Sequence, residues 1–592
     1  MQVEREVITK LCKSNECKSN KGTTNKKRRR KKKLKVKQSN TFRKVLGITM
    51  TQIAKESKHA QVNVKEGIKR YGDRAVQAVF NEYAQLDNKD TFMPENANKL
   101  SLEQKREALN LITIVKEKRC GKVKGRACAD GRKQRRYISK EEASSPTIQM
   151  ESLFLSLLID AKEGRDVATA NVVGAYLLTK MEDHTLVKVV GESVRIMCEV
   201  NKKYVRYVTL ENGKRVLYLK LKKALYGCIM SALLWYQTFV EVLMDLGIVL
   251  NKYDACVANK QIDGSQCTVC WYVDDNKISH KDLRVVDWVI KQLEKKFDKM
   301  TVTRGKEHNF VGMDIVMRDD EKFEVTMKEY LNESIEAFPE EIVKSARTPA
   351  KGDLFSEDEG ENKVILKDDE AEVFHHIVAK LLYVAKRARP DIDLTILFLC
   401  TRVAQPTKGD KDKLKRLLEY VKGTINMNRI ISMSGSEMLQ TWVDASYAVH
   451  RDMRSHTGGT MSLGHGTFHH RSAKQKLNTK SSTEAELVGA SEYVGWTLFA
   501  KRFLEEQGYE LKRNIFYQDN ESAMKLERNG RASCSSKTRH IHIRYFFVHD
   551  VLDQEDIELE HCKTDSMVAD FYTKPLQGKQ FLKFRDIIMG VK

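Results

Sequence analysis

The chain has 592 residues, 41% of them hydrophobic, and carries a formal charge of +23 from 104 Lys and Arg against 81 Asp and Glu. That length accommodates several domains with real cores, and the charge points to a polyanionic partner, nucleic acid first. No run approaches the roughly 18 apolar residues of a membrane span, no N-terminal stretch reads as a signal peptide, and the 12 cysteines lack a disulfide-framework spacing, so a soluble intracellular chain with reduced thiols is expected.

Residues 1–60 read as a basic disordered tail. Ten Lys or Arg fall between Lys26 and Lys37, and a block of like charge resists packing; it suits a nuclear-localisation or nucleic-acid arm. From Val64 to Lys118 apolar residues recur at three and four (Ala75, Val76, Val79, Phe80, Tyr83, then Ala108, Leu111, Ile112, Val115), which predicts helices. Lys124 to Arg136 is basic and glycine-punctuated, able to bring cationic forks to phosphates. A helical stretch (Ser152 to Lys162) precedes Asp166 to Leu178, read as a strand running into a Gly174-Ala175-Tyr176 turn. Lys222 to Tyr236 reads as a turn into a buried helix.

The densest chemistry lies at Trp271-Tyr272-Val273-Asp274-Asp275. Strand formers from Cys267 to Val273 lead into two adjacent carboxylates, and Asn276 to Ser279 can return as the partner strand, giving a β-hairpin with an acidic tip. Adjacent strand residues point to opposite faces, so the turn must twist to bring both carboxylates together. Such a pair suits Mg²⁺, which takes carboxylate and phosphate oxygens together. Cys267-x-x-Cys270 is half a zinc spacing without a second pair.

Beyond the hairpin, the segments Val302 to Ile315, Thr348 to Ala350, Ala379 to Tyr383 and Arg387 to Ile392 read as helices with a basic side, and the acidic loop Glu357 to Glu361 as a boundary. In the C-terminal third, Leu439 to Tyr447 is a predicted strand holding Asp444. Strands over Gly459 to Leu463 and Thr467 to Arg471 follow, then a helix opened by Ser481-Ser482-Thr483-Glu484-Ala485-Glu486. Asn514 to Gln518 is a strand ending in Asp519, Asp556 to His561 is the last strand, and Asp570 opens the final helix. Ser481-x-x-Glu484 and Thr483-x-x-Glu486 both also satisfy the capping-box pattern, in which the Glu serves only a backbone N–H.

Tyr272-Val273-Asp274-Asp275 resembles the Tyr-x-Asp-Asp palm hairpin of reverse transcriptases. From about residue 100 to 580 the ordered motifs resemble the C-terminal part of a Copia-type LTR-retrotransposon Pol polyprotein: Leu225-Tyr226-Gly227 with Ser231, Phe310-Val311-Gly312-Met313-Asp314-Ile315, the Ser481 to Glu486 run, Lys537-Thr538-Arg539-His540-Ile541-His542 and Ala569-Asp570-Phe571-Tyr572-Thr573-Lys574-Pro575-Leu576. Met230 and His542 depart from the usual family residues. No aspartic-protease Asp-Ser/Thr-Gly motif and no integrase zinc head or core is found, so a Pol fragment is expected.

The resemblance implies an α+β and α/β architecture: a right-hand polymerase (palm, fingers, thumb), a connection segment, and an RNase H-like domain whose order is βββαβα…βα. The expected divisions are a tail to residue 60, a helical lead-in over 61–114, the reverse transcriptase over 115–345, thumb and connection helices over 346–435, and the RNase H-like domain over 436–592. It implies two Mg²⁺ (or Mn²⁺) ions per active site, held by Asp274 and Asp275 in the polymerase and by Asp444, Glu484, Asp519 and Asp570 in the nuclease. The third polymerase carboxylate falls at Asn171, which predicts an impaired polymerase, because a neutral amide replaces an anion that bridges two cations. Tyr176 corresponds to the gate that excludes ribonucleotides, Arg126 to a triphosphate contact, Gly227 to close backbone approach to the template–primer, and His540 to a substrate contact. The implied partners are an RNA template, a DNA primer, RNA–DNA hybrid and deoxynucleoside triphosphates, with no membrane, in a cytoplasmic particle or the nucleus. The alternatives are an element relic with RNase H activity only, and a non-catalytic nucleic-acid-binding protein.

Overall fold

The computed structural model describes residues 61–591 except 118–120, 182, 357, 434–436 and 531–541; the basic tail and His540 lie outside the described residues. The chain divides into two compact units, Met1–Asn81 with Thr113–Arg126, and Glu82–Ile112 with Ala127–Lys592. In the small unit, helix Val64–Tyr71 is capped by Asn63, whose side chain accepts from the Glu66 N–H at 3.0 Å. Strand Val62–Asn63 pairs with Ile114 and Val115. A Cβ on Gly67 would stand 2.9 Å from the Val115 Cβ, so helix and strand meet without room for a side chain.

One predicted helix is corrected. The stretch containing Leu111, Ile112 and Val115 is the strand Leu109–Glu117, and its buried residues are Leu109, Leu111, Thr113 and Val115. That alternation is the period of a strand. Residues around Val302 and Ile315, read as helical, are likewise strands (Thr301–Arg304, Glu307–Phe310, Met313–Met317).

The large unit centres on a six-stranded antiparallel sheet in the spatial order Thr301–Arg304, Asp166–Asn171, Asp275–His280, Ser265–Tyr272, Val257–Ile262, Val249–Leu250. Trp235 and Phe239, on helix Ser231–Asp245, pack their rings against Phe297, and Phe239 also meets Trp271 of the sheet. Helix Met150–Glu163 is buried on nearly every side from Ser152 to Ala161, as expected for a helix enclosed between layers. One face meets the six-stranded sheet, where the Lys277 ammonium bonds the Asp160 carboxylate and Cys270 faces Ser156. The other meets a five-stranded antiparallel sheet, through Phe154 against Phe323. Lys277 and Asp160 are 1% and 0% exposed, and Arg165 completes the group at 3.7 Å from Asp160; charges this deep persist only when paired.

The C-terminal sheet has the order His469–Lys474, His456–Ser462, Met438–Ser446, Arg513–Gln518, Glu558–His561. The first three strands are antiparallel, and Arg513–Gln518 and Glu558–His561 add in parallel. Helix Ser482–Glu506 packs on the central strand. The chain order, three strands, helix, strand, helices, strand and a closing helix Gly578–Met589, is the RNase H-like order expected. The chain is thus of mixed α/β class, with its C-terminal sheet in the strand order expected of an RNase H-like domain.

Candidate active sites

The acidic hairpin forms as predicted. Strands Ser265–Tyr272 and Asp275–His280 pair from Thr268↔Ser279 to Tyr272↔Asp275, leaving Val273 and Asp274 as a two-residue turn. Val273 sits at φ 59, a region that costs a β-branched residue dearly and that a two-residue turn of this kind normally fills with Gly. Three contacts hold it there. The buried Trp235 indole N–H donates to the Val273 carbonyl at 2.6 Å. The Asn276 amide donates to the carbonyls of Asp274 and Ala170, each at 3.1 Å. The Val172 N–H donates to the Asp274 carbonyl at 3.0 Å. The turn therefore supplies the twist that two neighbouring carboxylates need, and both Asp274 and Asp275 are half-buried at the sheet end.

Asn171 lies opposite Asp275 in the register of the adjacent strand. Its amide nitrogen donates to Asp275 Oδ1 at 2.6 Å. An NH₂ group facing a carboxylate is the sensible pairing, and it engages one of the two hairpin carboxylates in an internal bond. Asp166 does not join this group. It opens the same strand beside His280, about 17 Å from Asn171 at ~3.3 Å per residue, and bonds Arg304 at 2.6 Å.

Tyr176 follows the left-handed Gly174 (φ 71) on a short 3₁₀ turn, half-buried, with its ring 4.6 Å from that of Tyr226. Gly227 has φ 90, and a Cβ there would lie 2.0 Å from the Ala129 carbonyl oxygen. Its smallness thus serves a close approach to the protein's own backbone, reinforced by the Ala129 N–H donating to the Tyr226 carbonyl at 2.7 Å. Arg126 is exposed on strand Val123–Ala129.

The C-terminal sheet gathers a second acidic group, and here one assignment changes. Asp444 on the central strand, Glu486 on the facing helix and Asp519 at the end of the parallel strand present oxygens within 4.8 Å of one another. Glu484, expected in this set, caps its own helix instead: its carboxylate accepts from the Lys480 N–H at 2.8 Å and its N–H donates to Ser481 Oγ at 3.2 Å. Residues two apart on a helix point about 200° away from each other, so only one of the two glutamates can face the sheet. The available signal was that Glu486 leads the buried stripe through Ala490, Tyr493 and Thr497.

Glu486 is 5% exposed, and its Oε2 has no hydrogen-bond partner. Burial, then the nearby Asp444 and Asp519, push its carboxyl well above the usual range. Burial and Asp444 likewise raise Asp519. An orphaned buried carboxylate oxygen among like charges is a donor set that fits a hard divalent cation. Asp570 lies on a 3₁₀ turn, Val568–Tyr572, ahead of the final helix. Burial and Asp444 push it up to about 7, and Lys574 Nζ bonds its Oδ1 at 2.7 Å. Lys574 also reaches Asp444 Oδ1 at 3.5 Å, while Thr573 Oγ1 donates to Asp444 Oδ2. Burial disfavours the Lys574 charge, but Asp444 and Asp570 outweigh it and keep the ammonium protonated.

Residues 100–351 match the family model described as reverse transcriptase (RNA-dependent DNA polymerase). The chain is 27% identical over 473 residues to the retrovirus-related Pol polyprotein from transposon TNT 1-94 of Nicotiana tabacum, covering 79% of this chain and 34% of that one. It is 26% identical over 470 residues to the Pol polyprotein from transposon RE1 of Arabidopsis thaliana (78% and 30%), and 23% over 527 residues to the transposon Ty1-ER2 Gag-Pol polyprotein of Saccharomyces cerevisiae (86% and 28%). It thus spans about a third of the length of the curated relatives it matches. Among solved structures, a foamy viral protease-reverse transcriptase in complex with ds DNA aligns with a TM-score of 0.46 and 11% identity, over 81% of this chain and 68% of that one. The chain is thus similar to retrotransposon Pol polyproteins, and its residues 100–351 to the reverse transcriptase family.

Proposed function

We propose that the chain is an RNA-directed DNA polymerase joined to a ribonuclease H, copying element RNA into DNA and cleaving the RNA strand of the hybrid, with its polymerase step impaired by Asn171. The observation that carries this reading is the register of Asp275 against Asn171 beside the Asp274–Asp275 turn, which sets an amide where a two-ion centre would use a third carboxylate. Mg²⁺ or Mn²⁺, when bound, would supply Lewis acidity and a water of lowered pKa. Asp274 and Asp275 would hold ions for nucleotidyl transfer, and Asp444, Glu486, Asp519 and Asp570 for hybrid hydrolysis. Tyr176 would screen the sugar of the incoming deoxynucleotide, and Arg126 would meet its triphosphate. The net positive charge favours a template–primer and an RNA–DNA hybrid as partners. The work would take place in a cytoplasmic particle or the nucleus.

A second reading, a chain that retains only hybrid cleavage, is favoured by the contrast between the two centres. The C-terminal group keeps three convergent carboxylates, whereas the hairpin keeps two and an amide. Hybrid cleavage measured in Asp519→Asn and Asp274→Asn proteins separates the two readings from a mere binding protein. Cleavage lost in the first variant and kept in the second supports a working nuclease centre. Salt-sensitive binding that survives EDTA, without any metal-dependent product, would refute both.

A further inference from the structure

Among the described residues, one cation bonds the C-terminal carboxylate group. Lys574 Nζ stands between Asp570 Oδ1 at 2.7 Å and Asp444 Oδ1 at 3.5 Å, and so bonds the carboxylate that also converges with Glu486 and Asp519. Lys574 and Asp570 are one helical turn apart in sequence, so the contact is local. The contact to Asp444 crosses from the C-terminal segment to the central strand. Thr573 holds the other Asp444 oxygen. Asp570 is therefore drawn out of the three-carboxylate set by an ammonium, while Glu486 Oε2 waits in that set without a partner.

We propose that Lys574 is a built-in cation that fills the Asp444–Asp570 half of the centre, so that the protein without nucleic acid takes a single divalent ion, at Asp444, Glu486 and Asp519. The inference rests on the reading of those three residues as an ion site. A second ion held by Asp444 and Asp570 would need the carboxylate oxygens that the ammonium bonds, and two cations cannot share them. The Lys574 side chain is 40% exposed, so its flexible stem can swing the ammonium outward, and a substrate phosphodiester is the anion that would draw it. Lys574 is in this account a positioning residue: it sets when Asp570 becomes available as a ligand.

The test is a Mn²⁺ titration of the full chain without nucleic acid, read by equilibrium dialysis and low-temperature electron paramagnetic resonance. All proteins carry Asp274→Asn and Asp275→Asn so that the hairpin does not contribute. The parent and Lys574→Arg should bind one Mn²⁺ that Asp519→Asn abolishes, with the spectrum of an isolated ion. Lys574→Met and Lys574→Gln should bind two, with the spectrum of a magnetically coupled pair. Misfolding would remove ions and cannot add one, so the gain identifies the role. A coupled pair in the parent, or one ion in both neutral variants, overturns the role of Lys574 while leaving the ion site standing. Binding indifferent to Asp519→Asn overturns the ion site itself and the proposal with it.

Discussion

Replacing Glu486 by Gln separates the ion-site role from the capping role that its neighbour Glu484 plays. The Glu486 carboxylate is buried beside Asp444 and Asp519, so its loss removes one anion from the convergent set. Loss of one well-placed group at a reaction centre costs about 10²–10³ in rate, or about 2.7–4 kcal/mol of barrier. The same substitution should stabilise the ion-free protein. Burial and two like charges hold the folded carboxyl above its unfolded value, so the charged form opposes folding. That penalty is absent below about pH 4.3 and grows as pH rises through the folded value. In EDTA, Glu486→Gln should therefore melt above the parent at neutral pH, with the difference closing toward pH 4. Glu484→Gln keeps an acceptor for the Lys480 N–H and removes a charge near a helix N-terminus, about 0.3–1 kcal/mol, with hybrid cleavage near the parent rate. The assays are cleavage of the RNA strand of a labelled RNA–DNA duplex with Mg²⁺, and thermal melts in EDTA. Cleavage abolished by Glu484→Gln and spared by Glu486→Gln would refute the assignment.

Other substitutions probe the scaffold. Gly227→Ala places a Cβ 2.0 Å from the Ala129 carbonyl oxygen at φ 90; it should destabilise by more than about 4 kcal/mol, and a melting temperature equal to the parent's would show that the backbone can part there at no cost. Asp391→Asn strands the buried Arg389, which bonds both Asp391 oxygens at 2.8 and 2.7 Å, and should cost about 3–5 kcal/mol. Burial raises the Asp391 carboxyl, but Arg389 and the Tyr420 hydroxyl more than reverse this and hold it below the usual range. Its stabilising effect is thus complete above about pH 4 and is lost as pH falls further, so the gap between parent and variant in denaturant melts should narrow toward pH 3. A gap that widens on acidification would contradict the pairing.

Much of this was legible in the residues because the signals were local. The strand formers before Asp274 and the polar return after it describe a hairpin, and the structure pairs them with the turn where the acidic tip was expected. The alternation of strands and helices after Met438 also reads directly. What escaped depends on contacts distant in sequence or on ambiguous periods. Ala108, Leu111, Ile112 and Val115 fit a helical spacing, and Leu109, Leu111, Thr113 and Val115 fit a strand equally well; only pairing with a neighbouring strand decides between them. Glu484 and Glu486 share the same capping grammar, and the choice between them is made by which face of the helix meets Asp444. Val273 at positive φ runs against its propensity and is held by Trp235, far back in the chain. Lys574 gave no sign of its role because the carboxylate it shares with Asp570 comes from the central strand.

The central claim is that the polymerase scaffold is intact around one missing anion. Primer extension on an RNA template with Mg²⁺, comparing the parent with Asn171→Asp, addresses it most directly. Restoring the carboxylate opposite Asp275 should raise extension by at least about a hundredfold, with nucleic-acid binding unchanged. Efficient extension by the parent, or none by either protein, would contradict it.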